Sequence, residues 1–219
     1  MIKLIIFDFD GVLVDTEFPI AKIRTELLSQ YGMEISLDQC LKFFTGLHND
    51  TANKIIADEI GQDKLAAFID EFNKRVEVCF QQNVAQIAYV DDMLAKITLP
   101  ISIASNSDYD SLQLKLKVSK LDKYFPPESI FVASMVSEPK PAPDVYLLAA
   151  ETYKVAPEAC LVIEDSGVGI TAALSANMQV IGFFGASHCY EGYEDKLSVA
   201  GAELLFDDMR EVEKLLLSQ

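Results

Sequence analysis

Histidine and cysteine are scarce in this chain, and with them goes most metal and redox chemistry. Of 219 residues, four are cysteine (Cys40, Cys79, Cys160, Cys189) and two are histidine (His48, His188). No C-x-x-C pair occurs, so zinc and dithiol motifs are unsupported. Four reduced structural thiols are the better reading. The two histidines are too far apart in the chain to suggest a metal cluster. Basic residues are also few: lysine and arginine total 18 against 34 aspartates and glutamates, for a formal charge of −16. Such a surface repels nucleic acid and anionic membrane, which excludes both as expected partners. It also repels phosphorylated metabolites at long range, so a site for an anion must carry its own cations.

Long apolar runs are missing as well. None approaches the roughly 18 residues that a membrane helix needs. The opening run Leu4–Phe7 is too short for a signal-peptide core and ends in acid. The expectation is a cytoplasmic protein. Composition says nothing firm about oligomeric state, and a monomer is the default. There is no internal repeat and no low-complexity tract.

What is present reads as an α/β protein. Half the residues are hydrophobic and 24% are charged, the balance of a globular domain. Short apolar runs at Leu4–Phe7, Ile101–Ala104, Leu161–Ile163 and Val180–Phe184 do not alternate with polar residues, as buried parallel strands do not. Ile130–Ala133 and Glu203–Phe206 are shorter candidates. Helical patterns at Asp108–Lys117, Pro143–Tyr153 and Val168–Ala176 lie between them. Strand and helix in alternation imply right-handed crossovers and a doubly wound parallel sheet. From about Phe18 to Gln86 the alternation stops. Amphipathic helices are expected at Pro19–Gln30, Leu37–Phe44, Asp50–Glu59 and Asp63–Gln81. A stretch this long is not a simple crossover. It reads as an inserted helical subdomain over 18–86, with residues 1–17 and 87–219 forming the core.

Chemistry gathers at the predicted strand ends. The first strand runs into Asp8-Phe9-Asp10-Gly11, two carboxylates spaced i, i+2 with a glycine that permits a bend. Taken alone, the pair reads equally well as two solvated acids on a loop. The second strand ends in Ser105-Asn106-Ser107, donors suited to a phosphate oxygen or to a helix N-cap. Then Glu138-Pro139-Lys140-Pro141-Ala142-Pro143-Asp144 places one lysine among three prolines, in a stiff loop that holds Lys140 extended. The fourth strand ends in a second acidic pair, Glu164-Asp165, followed by Ser166-Gly167. Four carboxylates in one crevice would raise one another's pKa values sharply unless a cation were present. Hard oxygen donors without histidine or thiolate favour Mg²⁺. Open α/β sheets bind ligands at this edge, at the topological switch point.

These segments, in this order, resemble the four motifs of the haloacid dehalogenase superfamily. The similarity is closest to its sugar-phosphate phosphatases and β-phosphoglucomutases, which carry a helical cap after the first motif. The resemblance implies a Rossmann-like core with sheet order 5-4-1-2-3. It implies Asp8 as nucleophile and Asp10 as acid/base, with Ser105 and Lys140 on the transferring phosphate and Asn106 close by. It implies Mg²⁺ held by Asp8, Asp165 and the Asp10 carbonyl, with Glu164 supporting the shell. The implied substrate is a small phosphorylated metabolite, a sugar or sugar-acid phosphate, and His48 and Asn49 are candidates for its selection from the cap. Tyr89 lies in a segment where the family often has glycine, and Asn177 stands where it usually has one.

Three alternatives stay open. A phosphosugar mutase needs a basic clamp in the cap. Gly46-Leu47-His48-Asn49-Asp50 holds no arginine or lysine, and Ile20 stands where the mutases carry histidine. Lys54, Lys74 or Arg75 could still serve. A dehalogenase has no need of the second aspartate and the acidic pair. A catalytically inactive binding protein on the same fold has no need of a separate acid/base.

Overall fold

A computed structural model describes residues 1–46 and 49–218. Six strands form one parallel sheet: β1 (Leu4–Phe7), β2 (Ile101–Ser105), β3 (Ile130–Val132), β4 (Cys160–Glu164), β5 (Gln179–Phe183) and β6 (Leu204–Phe206). Their order is β3-β2-β1-β4-β5-β6, so β6 adds an edge strand to the implied order of five. All pairings are parallel. β1 lies centrally, with β2 on one side and β4 on the other, which makes its carboxyl end the switch point.

The strands lack alternation because helices cover both faces. In β1, Ile5 and Phe7 pack with α6 (Tyr109–Ser119) and α10 (Met209–Leu217), while Leu4 and Ile6 pack with α7 (Asp144–Tyr153), α8 (Gly167–Ser175) and α9 (Tyr193–Val199). Every side chain of this strand is therefore buried. Helix starts follow local capping chemistry: Asp108 accepts from the backbone of Asp110 and Ser111, and Ser166 accepts from Gly169.

Between β1 and the short α5 (Val90–Leu94) lie four helices: α1 (Glu17–Gln30), α2 (Leu37–Phe44), α3 (Asn49–Ile60) and α4 (Gln62–Gln82). Leu27 and Leu28, Cys40 and Phe44, Ile56 and Ile60, and Phe68 form a cluster apart from those flanking the sheet. Ser36 and Gln39 make a reciprocal capping box that starts α2. Two chain segments join this insertion to the sheet, and they pair with each other: Asp15 N donates to Ala85 O (2.8 Å) and Ile87 N to Leu13 O (3.0 Å). The end of α4 joins the sheet's core through Phe80, and Ile20 of α1 packs against the same core. No helix among the described residues is long and apolar enough to cross a membrane.

Both departures from the family's glycines fall on left-handed backbone. Asn177, at φ 58°, follows α8 as asparagine readily does. Tyr89, at φ 68°, costs about 1–2 kcal/mol relative to glycine. Its ring lies under the Arg210 guanidinium at 4.3 Å, which offsets part of that strain.

Phe68 centres the insertion's cluster. It is 1% exposed, edge-on to Tyr31 at 5.5 Å and stacked on Phe72 at 6.0 Å. Phe68→Ala is expected to destabilise the protein by about 3–5 kcal/mol, read from urea unfolding. A loss under ~1 kcal/mol would mean that the cluster is not organised around this ring.

Candidate active site

The site is built around a buried lysine. Asp8 continues β1, its N–H donating to Ile163 O at 2.9 Å, which aims its carboxylate into the crevice between β1, β2 and β4. Lys140 arrives there from the proline-rich loop. Its Nζ donates to Asp8 Oδ1 (2.6 Å), Glu164 Oε1 (2.8 Å) and the carbonyl of Ala104 (2.9 Å). All three donor positions of the ammonium are thus used. The Tyr146 ring lies 4.6 Å beneath it, and the Tyr146 hydroxyl donates to Glu164 Oε1. Lys140 is 5% exposed. Burial alone would lower its pKa. The Asp8 and Glu164 carboxylates outweigh that and hold it well above the usual lysine range.

Asn106 and Glu164 position this lysine. The Asn106 amide clamps the lysine's backbone from both sides, Lys140 N donating to Oδ1 (3.0 Å) and Nδ2 donating to Lys140 O (3.1 Å). Glu164 commits Oε1 to Lys140 and Tyr146, and Oε2 to the N–H and hydroxyl of Ser166. A Cβ at Gly169 would stand 1.6 Å from Glu164 Oε1, so only glycine fits beneath that carboxylate. Ser105 Oγ is buried at the end of β2 and accepts from Ser107 N at 3.0 Å.

Asp10 has a different cation. Lys115 Nζ donates to both its oxygens, at 2.6 and 2.7 Å, and the hydroxyls of Thr16 and Ser107 donate at 2.6 Å each. Burial pushes the Asp10 carboxyl up, but Lys115 and these hydrogen bonds outweigh it, and its pKa lies below the usual range. Lys115 itself is 4% exposed, between the rings of Phe9 and Phe80. The i, i+2 aspartates therefore reach one crevice but are neutralised by separate lysines.

Asp165 is less compensated than Asp8 or Asp10. Its one ion-pairing partner among the described residues is His188, with Nε2 3.3 Å from Oδ2. Burial raises its pKa well above the usual range, and Glu164, Glu17 and Asp10 add to this against Lys140. Asp8 is raised likewise, by burial first and by Glu164 and Asp165, despite Lys140. One ammonium thus faces three carboxylates. That shortage of positive charge, with hard oxygen donors, fits a small divalent cation. Among the described residues, no three acidic, histidine or cysteine side chains form a ready-made cage. Mg²⁺ does not require one, since it commonly takes one or two carboxylates and completes its shell with water and substrate oxygens.

His48 lies outside the described residues, and Asn49 opens α3. Of the candidate mutase clamps, Arg75 donates to Glu71 Oε1 (Nε, 3.0 Å) and to Gln30 Oε1 (3.0 Å), and Lys54 and Lys74 are exposed. Sequence reasoning missed Lys115 and His188. Lys115 carried a signal: it shares one buried face of α6 with Leu112, Leu116 and Ser119, where a lysine is costly without a partner. His188 lies in a loop without periodicity and carried none.

Lys115→Met is expected to leave Asp10 buried without its cation, at a cost of about 3–5 kcal/mol near neutral pH. In the native protein the lowered pKa of Asp10 contributes stability above its unfolded pKa, and that contribution is lost as pH falls. In the variant burial dominates and the folded pKa rises, so the penalty develops as pH rises through the unfolded pKa. Urea unfolding at pH 4 and pH 7 should show the larger loss at pH 7, and equal losses would contradict the clamp.

Comparison with known proteins identifies the family. Residues 5–183 match the family model of haloacid dehalogenase-like hydrolases. The Bacillus subtilis protein YhcW is 33% identical over 190 residues, 83% of each chain. The 6-phosphogluconate phosphatase of Escherichia coli is 27% identical over 189 residues, 85% of each. The crystal structure of a conserved haloacid dehalogenase-like protein from Agrobacterium tumefaciens superposes with a TM-score of 0.92 at 34% identity, covering 100% of this chain and 99% of that one. The chain belongs to the haloacid dehalogenase-like hydrolase family, as one of its phosphoric monoester hydrolases.

Proposed function

We propose that this enzyme is a Mg²⁺-dependent phosphatase that moves the phosphoryl group of a small metabolite onto Asp8 and then onto water. The observation that carries this reading is the buried Asp8–Lys140 pair at the carboxyl end of the central strand. It sets a carboxylate nucleophile beside a fixed cation inside a protein of net charge −16.

A carboxylate oxygen of Asp8 attacks phosphorus while Lys140 Nζ and Ser105 Oγ hold the transferring oxygens. The P–O bond to the metabolite breaks, and Asp10 protonates the departing alkoxide. Asp10 then takes a proton from water as that water attacks the aspartyl phosphate, which frees inorganic phosphate and restores Asp8. Lys115 favours ionised Asp10, the form that accepts a proton. To donate one, Asp10 must carry a proton and part from Lys115. The carboxylates of Asp8 and Asp165 and the carbonyl of Asp10 would hold Mg²⁺, and Glu164 would tie Lys140 to that group. When bound, Mg²⁺ supplies the positive charge that lets a phosphate dianion approach Asp8.

In this reading residues 18–86 are a cap over a core of 1–17 and 87–219. A cavity of about 460 Å³ supports it, lined by Thr45 and Gly46 from the insertion and by Pro141, Ser166, Thr171 and Lys196 from the sheet side. It has room for a sugar or sugar-acid phosphate, the class to which the substrate named for the E. coli relative belongs. His48 and Asn49, beside Gly46 in the chain, would select among such substrates. The engagement of Arg75 with Glu71 and Gln30 removes one of the three candidate clamps that a mutase would need, while Lys54 and Lys74 stay exposed; the preference for a phosphatase over a mutase rests on the absence of arginine and lysine from residues 46–50.

Chelation should abolish phosphate release from a nitrophenyl phosphate, and added Mg²⁺ should restore it. Full turnover in excess chelator after dialysis would sink the metal assignment. Asp8→Asn should form no covalent intermediate. Asp10→Asn should be slowed about 10²–10⁴-fold and should accumulate one phosphoryl group on the protein, because this leaving group needs little protonation while hydrolysis still needs a base. Rapid quench with intact-protein mass spectrometry reads both. Phosphorylation of the Asp8→Asn variant at another residue would overturn the mechanism.

A further inference from the structure

We propose that His188 is a positioning residue that holds Asp165 in the orientation needed to bind the cation. The inference rests on the reading of Asp165 as a metal ligand.

His188 lies in the loop between β5 and α9 and is 1% exposed. Its Nε2 is 3.3 Å from Asp165 Oδ2. Gly11 closes the other side of that oxygen: at φ +88°, a Cβ there would stand 1.8 Å from Asp165 Oδ2 and 3.0 Å from His188 Cε1. Asp165 Oδ2 is thus wedged between a glycine backbone and an imidazole. The imidazole is fixed in turn by Tyr193, edge-on at 5.3 Å and 84°, and Tyr193 is backed by Tyr190 at 5.4 Å.

This ring has no other evident task. Its Nδ1 meets no protein partner, and Nε2 has a second neighbour in Cys189 Sγ at 3.5 Å. A thiol is the weaker partner of the two. The Nε2 contact with Asp165 Oδ2 is at ion-pair distance and is not an aligned hydrogen bond. An ionised Asp165 bound to a cation needs a donor on its remaining lone pairs, and Nε2–H supplies one when the ring turns toward Oδ2. A ligating carboxylate held in this way keeps its rotamer when the cation leaves, so less order has to be created on binding. Partners behind a metal ligand typically contribute about 10–100-fold in metal affinity.

Mg²⁺ binding to chelator-treated protein, measured by calorimetry with no substrate present, tests the assignment. Glutamine places its Nε2 at the same number of bonds from Cβ as the histidine Nε2, whereas asparagine places its amide near Nδ1. His188→Gln should bind Mg²⁺ within about threefold of the native protein, while His188→Asn and His188→Leu should lose about 10–100-fold. Cys189→Ala should bind as the native protein does. A purely structural role would instead lower the unfolding midpoint in chelator and would not separate Gln from Asn. Equal affinities for Gln and Asn, native affinity in His188→Leu, or a loss in Cys189→Ala equal to that in His188→Leu would overturn the proposal; if His188→Leu does not fold, the Gln/Asn pair decides. Asp165→Ala distinguishes the two levels. If it abolishes Mg²⁺ binding while the histidine variants do not weaken it, only the role of His188 fails. If it binds Mg²⁺ normally, the reading of Asp165 fails and takes this inference with it.

Discussion

The site depends on one buried ammonium. Lys140 Nζ reaches Asp8, Glu164 and the Ala104 carbonyl within 2.9 Å, so it links the ends of β1, β2 and β4 at a single point. Removing a partner from such a buried group typically costs about 3–5 kcal/mol, because the remaining charge stays in low dielectric. The surrounding residues are arranged to prevent that loss. Asn106 clamps the lysine's backbone, Tyr146 underlies its head, Ser166 orients Glu164, and Gly169 leaves room for that carboxylate. Several residues that look like ligand donors in the sequence therefore act on the lysine.

The same need explains how an acidic protein handles anions. Long-range repulsion from a charge of −16 is screened within about 8–10 Å at physiological salt, while contacts near 2.6 Å are not. Placing Lys140 against Asp8 and Lys115 against Asp10 supplies positive charge where it acts and keeps the two aspartates electrostatically distinct. One carboxyl is pushed up and the other down by their surroundings. Two aspartates with the same intrinsic chemistry can then take different roles.

The helical insertion meets this arrangement at a defined place. Phe80, near the end of α4, lies 5.7 Å from Lys115 Nζ, and Lys115 holds Asp10. The paired segments around Leu13–Asp15 and Ala85–Ile87 tie the insertion to the loop that follows Asp8 and Asp10. Residues of the insertion thus pack directly behind the Asp10 clamp.

Much of this was legible in the chain. Leu4–Phe7 reads as a doubly buried strand because it has no polar alternation, and the observed strand has the same bounds. The four insertion helices carry amphipathic spacing, and Leu37–Phe44 is found as expected. Asp8, Ser105 and Asp165 could be singled out because they stand at strand ends and Lys140 because prolines bracket it, and the family resemblance supplied their roles. The contacts that hold them could not be singled out in this way. That Asn106 and Glu164 serve Lys140, that Lys115 belongs to Asp10, and that His188 touches Asp165 are contacts between residues 23 to 105 positions apart. Sequence determines such things as strand burial, helix caps and turn chemistry, which depend on neighbours within a few residues. Which cation meets which carboxylate is decided only when the parallel sheet brings distant strand ends to one edge, because a buried charge takes the partner that packing puts within reach.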